Sequence, residues 1–167
     1  MVYGYEPEEL ERMKQTVLDI FDVFAAICEK YEIPYFVQGG TAIGAVRHRG
    51  YIPWDDDIDV GMLRDDYERF LQVAPGELAP TYEIIDGYHD KNCPDYITRI
   101  SKIGTKQVSK EHTKYKVDNL GISMDIFPYD NVPEDKALRK KQVRARDWYN
   151  RLHILWCIPN PDIPGKG

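Results

Sequence analysis

The chain has 167 residues, a net charge of −6 and 43% hydrophobic residues, which describe one ordinary domain with material for a real core. The acidic balance excludes a dedicated nucleic-acid binder, which carries a basic footprint, and no apolar run reaches the length needed to span a bilayer. Cys28, Cys93 and Cys157 are an odd, widely spaced set without a CxxC pair, so they read as reduced thiols rather than a zinc site or disulfide framework.

The N-terminal residues lack a basic stretch followed by an apolar one, so no signal peptide is expected and the location reads as cytoplasmic. Residues 7–31 read as an amphipathic helix. Pro7 suits its first turn, Glu8, Glu9 and Glu11 suit its positive end, and Met13, Val17, Ile20, Phe21, Phe24 and Ile27 recur at helical spacing. Pro34 stops it, and Tyr35-Phe36-Val37 reads as a short buried strand ending at Gly39-Gly40. Residues 41–48 read as a short helix capped by Thr41. A second strand is expected from Asp57 to Met62, then a helix from Arg64 to Val73, with Pro75, Gly76 and Pro80 marking a loop. Further strands are expected at 82–85, 96–103, 107–111 and 121–127, with a polar loop at 86–94 and an excursion at 114–119. A final helix over 133–157 carries Lys136, Arg139, Lys140, Lys141, Arg144, Arg146 and Arg151, which suit either a solvated face or an anionic membrane surface. The domain is expected to end near residue 158, with 159–167 a Pro- and Gly-rich tail or boundary.

The densest chemistry lies in Trp54-Asp55-Asp56-Asp57-Ile58-Asp59-Val60. Two like charges about 6 Å apart repel by about 3 kcal/mol at an effective dielectric of about 20. Four carboxylates in five residues without an intervening base therefore call for a counter-charge, and a divalent cation is the simplest. The alternation Asp57-Ile58-Asp59-Val60 reads as a strand whose acids share one face, about 7 Å apart, while Ile58 and Val60 enter a core. Ser123-Met124-Asp125-Ile126-Phe127 sets one acid in an otherwise apolar strand. A buried charge needs a partner or a metal, so Asp125 is the candidate third ligand. Gly39-Gly40, between strand and helix, can let backbone N–H groups approach an anion.

Strand, glycine pair, helix, Asp-x-Asp strand and a further strand acid resemble the pattern of the nucleotidyltransferase superfamily. The run Gly39 to Met62, GGTAIGAVRHRGYIPWDDDIDVGM, is similar to the signature of the LicD family of bacterial phosphocholine transferases, to which the fukutin-related sugar-phosphate transferases are similar. Looser similarity continues through Lys102 to Met124-Asp125-Ile126-Phe127-Pro128. The resemblance implies an α/β fold of the nucleotidyltransferase type, a mixed sheet flanked by helices. It implies metal-dependent transfer of a phospho-alcohol, phosphocholine first, from a CDP-linked donor to a hydroxyl of a cell-surface glycan or its lipid-linked precursor. Teichoic acid and lipopolysaccharide are the acceptors it points to, at the inner face of the membrane. Carried over by position, Asp57, Asp59 and Asp125 would bind Mg2+, with Mn2+ as the alternative ion. Gly39, Gly40 and Thr41 would cradle the donor diphosphate, and Arg47, His48 and Lys102 would steady its phosphates. Asp55 and Asp56 would stand behind the metal acids or supply the base. Arg47 and His48 also suit a helix C-terminus, Lys102 a solvated strand position, and Trp54 reads as a packing residue rather than a clamp for a quaternary ammonium group.

Three rival readings use the same residues. Asp55, Asp57 and Asp59 imitate an EF-hand opening, but Val60 stands where that loop needs glycine and Asp66 where it needs glutamate. A nucleotide-sugar glycosyltransferase also uses Asp-x-Asp, but generally needs a longer nucleotide-binding region before it. A non-catalytic nucleotide-binding domain of the same fold is the third.

Overall fold

The computed structural model describes residues 6–86, 97–106 and 121–157. The expected strand at 107–111, the excursion at 114–119, most of the loop at 86–94 and the tail at 159–167 lie outside the described residues. The order is α1 (Pro7–Lys30), β1 (Phe36–Val37), α2 (Gly39–His48), β2 (Asp59–Leu63), α3 (Arg64–Leu78), β3 (Tyr82–Ile85), β4 (Thr98–Lys102), β5 (Ser123–Tyr129) and α4 (Lys136–Cys157). Two compact units result: one holds the sheet with α1 to α3 through Asp130, and the other, from Asn131 onward, holds α4.

The sheet has five strands in the order β1-β2-β5-β4-β3. β2 and β5 run parallel, and the other neighbours are antiparallel. This is the mixed α/β sheet that the strand pattern anticipates. Side chains alternate across it. Val60 and Met62 of β2, Met124 and Ile126 of β5 and Ile100 of β4 are fully buried. They join Val17, Ile20 and Phe24 of α1 and Tyr67, Phe70 and Ala74 of α3 in one core. Each of the larger aliphatic and phenyl side chains among them contributes about 1.5–3 kcal/mol by leaving water. Asp59, Asp125 and Arg99 alternate to the opposite face, away from that core.

α1 forms where its periodicity places it. Pro7 stands in its first turn and Glu6 and Glu9 close a capping box. Two boundaries differ from expectation. Asp57 and Ile58 precede β2, which begins at Asp59, although Ile58 is buried and its carbonyl accepts the Asp125 N–H at 2.9 Å. α3 runs through Pro75 and Gly76 to Leu78. Burial of Ala74 and Leu78 against the core outweighs the backbone bond that Pro75 forfeits. Among the described residues no helix is long and apolar enough to cross a membrane.

Candidate active site

The glycine pair lies inside α2, as its first two residues, rather than in a turn before it. Gly39 has φ +54°, a left-handed conformation that penalises a side chain. A Cβ there would stand 3.0 Å from Asp59 Oδ2, and a Cβ on Gly40 would stand 2.4 Å from Asp55 Oδ2. The missing side chains therefore let two carboxylates reach the positive end of α2. Thr41 reinforces the junction: its Oγ1 accepts the Asp59 N–H at 2.8 Å, and the Gln38 N–H donates to the Asp59 carbonyl at 3.1 Å. Tyr129 at the end of β5 closes the outer side, its hydroxyl donating to Gln38 Oε1 and its ring meeting Phe36 edge-on at 5.1 Å.

Parallel pairing sets Asp59 opposite Asp125, and the next strand sets Arg99 opposite Asp125. Arg99 Nε donates to Asp125 Oδ1 at 3.0 Å, with 12% and 20% of the two side chains exposed. Asp55, Asp56 and Asp57 each offer an oxygen within 4.8 Å of the others. The tightest acid group among the described residues is thus the consecutive triad before β2, with Asp59 and Asp125 beside it.

The electrostatics record this crowding. Burial pushes the Asp57 carboxyl up to about 7, and Asp59, Asp55, Asp56 and Asp125 add to the effect. Asp57 is exposed as a residue, yet lost hydration of its carboxylate leads the causes. Asp59 rises to about 6 through burial, then Asp125 and Asp55. Asp56 is raised by burial and Asp55, opposed by its own backbone hydrogen bond and by Lys14. The Tyr51 hydroxyl is held protonated well beyond its ordinary range by burial and by Asp57, Asp55 and Asp56. Hard carboxylate oxygens that repel one another suit a hard cation better than a thiophilic one, so Asp55, Asp56 and Asp57 are a group that could hold a metal ion.

Other expected residues lie elsewhere. Arg47 and His48 occupy the last turn of α2 and are exposed. At 1.5 Å per residue they are about 12 Å along the axis from Gly39. Lys102 is three residues beyond Arg99 on β4 and alternates to the other face of the sheet. Trp54 is 55% exposed, which corrects its reading as a packing residue. Two residues in the site escaped the sequence reading. Arg99 had a faint signal, a base alternating with Thr98 and Ile100 on a strand. Lys14 had a clearer one, standing four residues after Leu10 and three before Val17 on the apolar stripe of α1.

Strand-borne acids beside a helix N-terminus are the build of a nucleotidyltransferase-type domain, and this chain has that build. The family described as LicD/FKTN/FKRP, nucleotidyltransferase domain, matches residues 32–145. The chain belongs to that family. It is 40% identical over 151 residues to the lipopolysaccharide cholinephosphotransferase LicD of Haemophilus influenzae, covering 88% of this chain and 56% of that protein. Over 46 residues it is 48% identical to an uncharacterised protein of Rickettsia typhi, covering 28% of this chain and 15% of the relative. Over 51 residues it is 40% identical to the human ribitol 5-phosphate transferase FKRP, covering 30% of this chain and 10% of the relative. The chain thus spans little more than half the length of the Haemophilus protein.

Proposed function

We propose that this domain transfers a phospho-alcohol, phosphocholine first, from a CDP-linked donor to a hydroxyl of a cell-surface glycan such as lipopolysaccharide. The observation that carries the proposal is the register of Asp59 against Asp125, with Asp59 Oδ2 only 3.0 Å from where a Gly39 Cβ would stand. That arrangement supports reading the acids as metal ligands beside a helix end that receives phosphate. Asp57, Asp59 and Asp125 would hold Mg2+ or Mn2+, with Asp55 and Asp56 adjoining. When bound, such an ion neutralises phosphate charge and orients an in-line displacement.

The chain's own groups supply the rest. Backbone N–H groups at Gly39, Gly40 and Thr41, with the α2 dipole, receive the donor diphosphate. The acceptor oxygen bonds to the phosphorus distal to the nucleoside, the phosphoanhydride P–O bond breaks, and CMP leaves. The acceptor proton passes to Asp55 or Asp56, which the loop holds at the same entrance. Arg47, His48 and Lys102 have no part in this version, because α2 and the β4 alternation carry them away. The exposed basic residues of α4 support a peripheral encounter with an anionic membrane, where lipid-linked acceptors reside.

A donor screen tests the reading. CDP-choline, CDP-ribitol, CDP-glycerol, CDP-ethanolamine and a nucleotide-sugar are titrated with and without Mg2+. CDP-choline is expected to bind tightest, with Mg2+ dependence. Tighter Mg2+-dependent binding of the nucleotide-sugar would replace the reading with a glycosyltransferase.

A further inference from the structure

Lys14 is a lysine on the buried stripe of α1, with 7% of its side chain exposed. Burying an ammonium is costly unless its donors are used. Its Nζ donates to the Pro53 carbonyl at 2.9 Å across 39 residues of chain. It lies 5.5 Å from the centre of the Tyr51 ring and 3.5 Å from Glu11 Oε1. The Tyr51 hydroxyl in turn donates to the Lys14 carbonyl at 3.4 Å. Both ends of this residue therefore hold the segment from Tyr51 to Pro53. Immediately beyond it the Asp55 N–H donates to the Ile52 carbonyl at 2.9 Å, and the Asp55-Asp56-Asp57 triad begins.

From these contacts we infer that Lys14 is a positioning residue for the acidic loop: it clamps Tyr51 and Pro53 so that the three carboxylates converge. The clamp reaches the site through backbone, since Nζ bonds a carbonyl and not a metal acid. The inference rests on reading the acidic cluster as a cation site. It goes beyond that reading by assigning the cluster's geometry to a helix residue remote in sequence.

The test compares wild type, Lys14→Met and Ile27→Val, the last a core change on the same helix away from the loop. Hydrogen exchange at the Asp55 amide and Mn2+ titration are measured on each. Lys14→Met is expected to speed that exchange at least tenfold and raise the Mn2+ dissociation constant at least fivefold. Ile27→Val is expected to change neither locally, whatever its global stability. If Lys14→Met matches Ile27→Val in Asp55 exchange, or in Mn2+ affinity where wild type binds the ion, the clamp is overturned. If wild type binds no Mn2+, the cation-site reading fails, and Asp55 exchange alone decides whether the clamp exists.

Discussion

Asp59 and Asp125 are fixed by strand register, while Asp55, Asp56 and Asp57 are fixed by a short segment that α1 and α2 pin from either side. The first pair sits on hydrogen-bonded backbone: the Asp59 peptide is engaged at both ends by Thr41 and Gln38, and Asp125 by Ile58 and Arg99. The triad depends on Lys14, Tyr51 and the room left by Gly40. Strand acids are therefore tied into the sheet, whereas loop acids can be altered chemically without disturbing it.

Neutralising one acid of each kind gives the largest expected contrast. Asp125→Asn removes the carboxylate that Arg99 Nε meets in a largely enclosed setting, so it should cost about 2 kcal/mol of stability. It should also lower Mg2+-dependent CMP release by on the order of 10²–10³. Asp57→Asn should lower release as much, yet raise the thermal midpoint of the metal-free protein. The reason is that four neighbouring carboxylates oppose its charge. A loss of stability in Asp57→Asn in EDTA would break the comparison, because it would make the loop acid structural too.

The glycines come next. Gly39→Ala imposes a left-handed alanine and a contact with Asp59 Oδ2, for about 1–2 kcal/mol. Gly40→Ala drives a methyl toward Asp55 Oδ2, the end of a side chain on the loop. It should leave urea stability nearly unchanged while weakening CDP-choline binding. Equal stability losses in the two variants would mean that the loop is as rigid as the strand.

A smaller effect follows from pH in the metal-free protein. Asp57 and Asp59 bind protons more tightly folded, near 7 and 6, than unfolded, near 4. Their contribution to stability is therefore fully present below about 4 and lost as pH rises through about 6 to 7. In Asp57→Asn in EDTA that window should narrow to the part owed to Asp59, so the difference from wild type reports Asp57 alone. Saturating Mg2+ should abolish the wild-type dependence, since the ion replaces the protons.

The same division explains what was legible in the chain. α1, the buried faces of β2 and β5 and the Asp-x-Asp spacing were readable because apolar periodicity reports burial directly. The entry to β2 was not: Asp57 and Ile58 keep strand-like alternation, but β2 pairing begins at Asp59, which alternation cannot reveal. Gly39 and Gly40 read as a turn because glycine is as compatible with a left-handed first helical residue as with a loop. Pro75 and Gly76 read as a break because local propensity ignores what Leu78 gains by burial. Arg99 and Lys14 meet their partners across 26 and 39 residues, and no local pattern names a contact at that range.

The smallest expected effect falls on Trp54, the residue next to the triad and the one most easily mistaken for its support. It is 55% exposed, so Trp54→Ala should change stability by within about 0.5 kcal/mol. A packed tryptophan would cost about 3–5 kcal/mol. Mn2+ affinity should likewise be unchanged, because the contacts that set the triad come from Lys14 and Tyr51 on the inner side. A loss of Mn2+ affinity with stability intact would move the support of the loop to its outer edge. A loss confined to CDP-choline binding, absent with CDP-glycerol, would instead give the exposed ring a role in receiving the quaternary ammonium group.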